Sequence, residues 1–153
     1  MKTRIFLNTI LFVMALGLSA CGGGDDAPAP VDPESGAGTL ADPYIIENGK
    51  TYKATIPIMD HYSHDLMIWF KFTAPTTGYY TGTVHNPSTD LVLEFNDSSM
   101  SLIGNCGKPA GSAEVCNTQD IPYQLMAGSS YFIGVDNYTN AVETDFQITI
   151  NPN

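Results

Sequence analysis

Leu66, Ile68, Phe70 and Phe72 recur at every second position with Met67, Trp69 and Lys71 between them. A period of two places the first set on one face of an extended strand and the second on the other. Aromatic and branched side chains dominate the segment, as half-buried strands favour. Similar runs predict strands over residues 79–84, 91–95, 131–135 and 146–150, the last alternating Phe146, Ile148 and Ile150 with Gln147 and Thr149. Asn48 and Gly49 separate residues 44–47 from 51–56. That dipeptide suits the positive φ angles of a two-residue turn, so a hairpin is predicted there. Residues 74–78 and 127–130 read as further turns. Apolar residues at helical spacing extend no further than two turns, and no long repeat is visible. The pattern predicts an all-β domain, an antiparallel β-sandwich of eight or nine short strands.

The N-terminus follows another pattern. Lys2 and Arg4 precede an apolar run over residues 5–18, broken by Asn8, Thr9 and Gly17 and followed by small residues. The run is shorter than the roughly 20 apolar residues of a spanning helix and reads as a secretory signal, residues 1–20. Leu18, Ser19, Ala20 and Cys21 resemble the bacterial lipobox, the competing explanation being an ordinary secretory signal with a chance cysteine. The resemblance implies that Cys21 carries diacylglycerol and a further fatty chain such as palmitate, and so anchors the protein to a membrane durably. Gly22 at the next position resembles outer-membrane rather than inner-membrane lipoproteins. The expected location is the cell envelope, most simply the outer membrane, at its periplasmic face or the cell surface.

Residues 21–38 are rich in Gly, Asp, Pro and Ala with little to bury, and are expected to form a flexible tether. A coil of about 17 residues spans on the order of 20 to 25 Å. Residues 39–153 have the size of one domain with one core.

Removing Lys2 and Arg4 with the leader leaves four of the six basic residues against all sixteen acids, a net charge of −12 in place of −10. Such a field repels nucleic acid and anionic headgroups, so no nucleic-acid partner is expected and the lipid provides the membrane contact. After Cys21 the remaining cysteines are Cys106 and Cys116. In an oxidising compartment they are expected to form a disulfide pinning a hairpin loop, worth about 3 kcal/mol by the chain-entropy estimate. Free thiols or a redox pair compete with that reading, without the Cys-x-x-Cys spacing to support them.

Four segments resemble the bacterial pre-peptidase C-terminal domain: residues 64–75 (HDLMIWFKFTAP), 78–84 (GYYTGTV), 89–95 (TDLVLEF) and 125–135 (LMAGSSYFIGV). They occur in the family's order and spacing across residues 39–150. The resemblance implies a jelly-roll-like sandwich. Such domains usually trail secreted peptidases, and no catalytic domain precedes this one in the sequence. The resemblance also leaves calcium open as a cofactor, with Asp42 and Glu47 near the N-terminal edge, although an apolar strand separates the two acids.

Candidate chemistry is sparse. Asp60, His61, Ser63, His64 and Asp65 form the densest polar cluster. Two histidines three apart fall short of the ligand set of a structural zinc site, and a solvated turn explains the cluster as well. Ser is abundant, but no Gly-x-Ser-x-Gly elbow occurs. The glycines at 104–107 and 134 open no helix that would receive a phosphate. No metal site, no resident cofactor and no catalytic activity are therefore expected. The remaining clue is aromatic: Trp69 lies opposite the apolar face of its strand, and neighbouring Tyr79 and Tyr80 must point to opposite faces. An outward ring suits stacking on a sugar or packing on a protein.

The leading expectation is a non-enzymatic, surface-tethered binding module for a protein or glycan, using Trp69, Tyr79 and Tyr80. The alternatives are a structural or accessory part of an envelope complex and, less favoured, a small metal-dependent hydrolase using His61 and His64.

Overall fold

In the computed structural model the described residues are 29–58, 67–85, 89–107, 113–137 and 143–153. They hold nine strands and no helix: β1 (Tyr44–Ile46), β2 (Thr51–Ile56), β3 (Ile68–Thr73), β4 (Tyr80–His85), β5 (Leu91–Asn96), β6 (Leu102–Gly107), β7 (Glu114–Asn117), β8 (Ser130–Asn137) and β9 (Thr144–Pro152). One sheet runs β1-β3-β8-β5-β6 and the other β2-β9-β4-β7. Every strand pairing is antiparallel except β1 with β3, which is parallel. The expected all-β sandwich is the observed fold.

The core lies where the inner faces meet. β3, β5 and β8 contribute Phe70, Phe72, Leu93, Phe95, Ile133 and Val135, while β2, β9 and β4 contribute Tyr52, Ile56, Ile148, Ile150, Tyr80 and Val84, all fully buried. Each such side chain contributes about 1.5–3 kcal/mol by leaving water. Two ring pairs bridge the sheets: Phe70 meets Phe146 edge-on at 6.0 Å, and Phe72 meets Tyr80 at 5.4 Å. Gly82 lets β4 approach β5, because a Cβ there would lie 2.9 Å from the Phe95 ring and 3.0 Å from Leu93.

Three expectations change in the folded chain. Residues 48 and 49 do turn, but β1 and β2 form no hairpin: β1 pairs with β3 and β2 with β9, in different sheets. Gly49 has φ +76° whereas Asn48 is not at positive φ. A type I′ turn needs both and a type II′ turn needs the first, so this turn is neither; it splays its strands and hands the chain from one layer to the other.

The second concerns the disulfide. It forms as expected between Cys106 and Cys116. Those residues sit on β6 and β7, the last strands of opposite sheets, so the bond staples the two layers along one side instead of pinning a hairpin loop.

The third is the tether, whose last residues are part of the folded body. The Val31 N–H donates to the Thr51 carbonyl and the Val31 carbonyl accepts from Lys53 N–H. Ile45 N–H donates to the Ser35 carbonyl and Trp69 N–H to the Gly38 carbonyl, at 3.2 and 2.8 Å. Lys53 pairs with Asp32 at 3.3 Å, and Lys50 pairs with Glu34 at 3.3 Å and Glu47 at 2.8 Å. Hydrogen bonds donated to the Glu47 and Glu34 carboxylates raise the Lys50 pKa. Low hydrophobicity hid this docking, because backbone hydrogen bonds and ion pairs supply it.

Candidate binding groove at the open edge

The side of the sandwich opposite the disulfide is bounded by β1 in one sheet and β2 in the other. β2 alternates Tyr52 and Ile56 inward with Thr51, Lys53 and Thr55 outward. β9 does the same, burying Phe146, Ile148 and Ile150 while Asp145 and Gln147 stay exposed. The antiparallel register sets Thr55 opposite Asp145 and Lys53 opposite Gln147, and Gln147 opposite His85 of β4. Side chains that are far apart in the chain thus form adjoining polar rows.

At this edge lies an open groove of about 1140 Å³. Its walls include Asp32 and Pro33 of the docked segment, Lys53 and Thr55 of β2, Asp145 and Gln147 of β9, and His85. Tyr44, Ala54, Phe146 and Thr144 also line it. Tyr44 is half-buried and packs on Phe70 at 5.6 Å, giving the groove an aromatic wall held by the core. Thr55 Oγ1 donates to Asp145 Oδ1 at 2.6 Å, and Asn137 Nδ2 donates to Thr144 Oγ1 at 2.9 Å. These bonds hold the lining in place before any ligand arrives.

Among the described residues three carboxylates, Asp32, Glu143 and Asp145, line the groove against one lysine, and Lys53 is already engaged by Asp32 at 3.3 Å. The lining therefore carries a net negative charge. It offers hydrogen-bond acceptors and donors, an aromatic wall and a field favouring cationic groups.

The aromatic residues expected to bind a ligand are placed otherwise. Tyr80 is 0% exposed; its ring packs on Phe72 and its hydroxyl donates to the Thr76 carbonyl at 2.8 Å. It is the inward member of the tyrosine pair, and core packing removes it from any surface. Trp69 is 8% exposed, in register with Gly134, where the missing side chain makes room for the indole beside Met67. Its position opposite the apolar face is correct, yet the ring is covered and cannot stack on a ligand. Tyr79 is half-buried and does not line the groove.

Asp42 and Glu47, the acids at the N-terminal edge where the resemblance leaves calcium open, are both exposed. Glu47 is engaged by Lys50 at 2.8 Å. Among the described residues no three His, Cys, Asp or Glu side chains stand together as metal ligands. Cys21, the leader, and the cluster of Asp60, His61, Ser63, His64 and Asp65 lie outside the described residues. Lys53, Asp145 and Gln147 were missed in the sequence. Their period-two placement marks them as outward, but only the β2–β9 register makes them neighbours.

No protein-family model matches the chain, and no curated protein matches it. Among solved structures, the fold is similar to the pre-peptidase C-terminal domain of a collagenase from Bacillus anthracis, at a TM-score of 0.52 and 14% identity, over 69% of this chain and 91% of that one. The similarity establishes a fold of that type and agrees with the resemblance carried by the four sequence segments.

Proposed function

We propose that the chain is a non-enzymatic, lipid-anchored binding module of the cell envelope, which recognises a protein or glycan through the groove at the β1–β2 edge. The observation that carries this is the groove itself: polar groups convergent from three strands and a docked segment, preset by mutual hydrogen bonds, beside a core-anchored tyrosine. Open clefts with a few placed polar groups are the usual form of a binding site. The lipobox resemblance at Cys21 supports anchoring, with the outer membrane as the destination. The disulfide accords with an oxidising compartment. The acidic charge of the mature chain argues against nucleic acid as a ligand. No resident cofactor is assigned.

Two measurements test this. Incorporation of labelled palmitate in bacterial cells is expected for the native chain and lost in Cys21→Ala; labelling that survives the substitution would remove the anchor. Binding of the full mature protein to glycan and peptide arrays is expected to fall in Asp145→Ala and Gln147→Ala while thermal midpoints stay close to native. Array binding indifferent to both substitutions would move the site away from the groove.

A further inference from the structure

We propose that the groove receives an extended, basic peptide segment of an exported partner, added as a strand beside β2. The proposal rests on the binding function above and supplies the chemistry of the ligand.

β2 is the outermost strand of its sheet, and its free edge is only partly used. Val31 makes one parallel bridge, accepting from Lys53 N–H at 3.0 Å and donating to the Thr51 carbonyl at 2.9 Å. The next residues of that segment cannot continue the pairing. Pro33 has no N–H to give, and Glu34 reaches back to Lys50 at 3.3 Å. The two-residue strand period turns the Lys53 carbonyl and the N–H and carbonyl of Thr55 toward the same edge as Lys53 N–H. Among the described residues no hydrogen bond reaches them. Unpaired strand edges are templates for another extended chain.

Donors and acceptors alternating along β2 match a second backbone at a repeat of about 6.8 Å. The hydroxyls of a sugar carry no such repeat. The groove opens along this edge, and its walls set the side-chain preference. Glu143 and Asp145 face it from β9 and its approach, Asp32 from the docked segment. Lysine or arginine at alternate positions of the ligand would meet them, with charge complementarity guiding the encounter. A second copy of this acidic chain would bring like charges together and is disfavoured.

The test is selection of a displayed random dodecapeptide library on the full mature protein, followed by amide exchange with the selected peptides. Enrichment of Lys or Arg at alternate positions, with protection of the Thr55 amide on binding, is the expected result. Glu143→Gln should weaken the selected peptides on the order of fivefold. Thr55→Pro, which deletes the N–H at an edge position that tolerates proline, should abolish their binding. Peptides that bind without protecting Thr55, or selection without basic enrichment, would overturn strand addition. If no peptide is selected but chitosan oligomers bind and the Asp145→Ala substitution weakens them, the groove function stands and the peptide proposal falls. If neither probe binds, both fall. Self-association in sedimentation, relieved by Thr55→Pro, would assign the edge to a second copy and overturn the exported partner.

Discussion

Cys106 and Cys116 are joined across the sandwich with Cα atoms 5.3 Å apart, one on the last strand of each sheet. Each stands beside a core position of its own sheet, Cys106 opposite Leu93 and Cys116 opposite Gly82. The bond closes a short loop in sequence while locking the side of the sandwich remote from the groove. Its loss should therefore act on the whole fold. Reduction, or the double change to alanine, is expected to cost about 3 kcal/mol. The check is chemical denaturation with and without reductant; equal midpoints would mean the sheets hold together without the bond.

The neighbouring tyrosines should separate cleanly. Tyr80→Ala removes a fully buried ring and should cost about 3–5 kcal/mol, as large core truncations do. Tyr79→Ala, at a half-buried position, should cost under about 1 kcal/mol. Tyr80→Phe should cost about 1 kcal/mol, through the lost bonds to Thr76. Urea titration of the three variants reads these differences, and comparable costs for the two alanine substitutions would contradict the facing assigned to the pair.

Gly82→Ala should destabilise by about 1–3 kcal/mol, because the added carbon would stand 2.9 Å from the Phe95 ring between packed sheets. Combining it with Leu93→Ala should recover part of that loss, since Leu93 is the other close neighbour at 3.0 Å. A double-mutant cycle in denaturant measures the coupling.

The docked segment predicts where a stable domain must begin. A protein starting at Thr39 loses the bonds from Val31, Ser35 and Gly38 and should be less stable by about 2 kcal/mol than one starting at Ala29. Part of the difference should shrink in high salt, because the Lys53–Asp32 and Lys50–Glu34 pairs are exposed. Thermal melts of both proteins at low and high ionic strength supply the comparison.

Asp97 sets a pH dependence of known sign. Its carboxylate accepts from the Ser99 hydroxyl at 2.7 Å and from the Ser101 N–H at 2.9 Å, and the Ser99 bond first, then that of Ser101, lowers its pKa below the ordinary 3.8. A depressed folded-state value adds stability above the unfolded pKa, and that stability is lost as pH falls through the folded one. Asp97→Ala should accordingly be less stable than the native chain at neutral pH, and the gap should narrow as pH falls through the lowered folded-state value. Denaturation midpoints taken from pH 7 to 2 show whether they do.

Local alternation alone determined the fold class and most strands. Phe70 and Phe72, or Ile148 and Ile150, fall on one face whatever the rest of the chain does, because side chains of an extended backbone alternate by geometry. The pairing of the last two cysteines followed from their number and from the expectation of export. β6 and β7 escaped notice because their apolar residues do not mark the buried face: Leu102 of LIGNCG is exposed, and EVCN buries Glu114 while Val115 is exposed. Tertiary structure decided whatever depends on which strand lies beside which. Asn48 and Gly49 mark a turn, but pairing with β3 and β9 made it a crossing between sheets. Trp69 points away from its strand's apolar face, yet Gly134 on the neighbouring strand and Met67 determine that it is covered. The groove is the clearest case. Thr55 and Asp145 are 90 residues apart and meet at 2.6 Å, a contact set by strand register, which arises from the packing of both faces at once and leaves no trace in either segment alone.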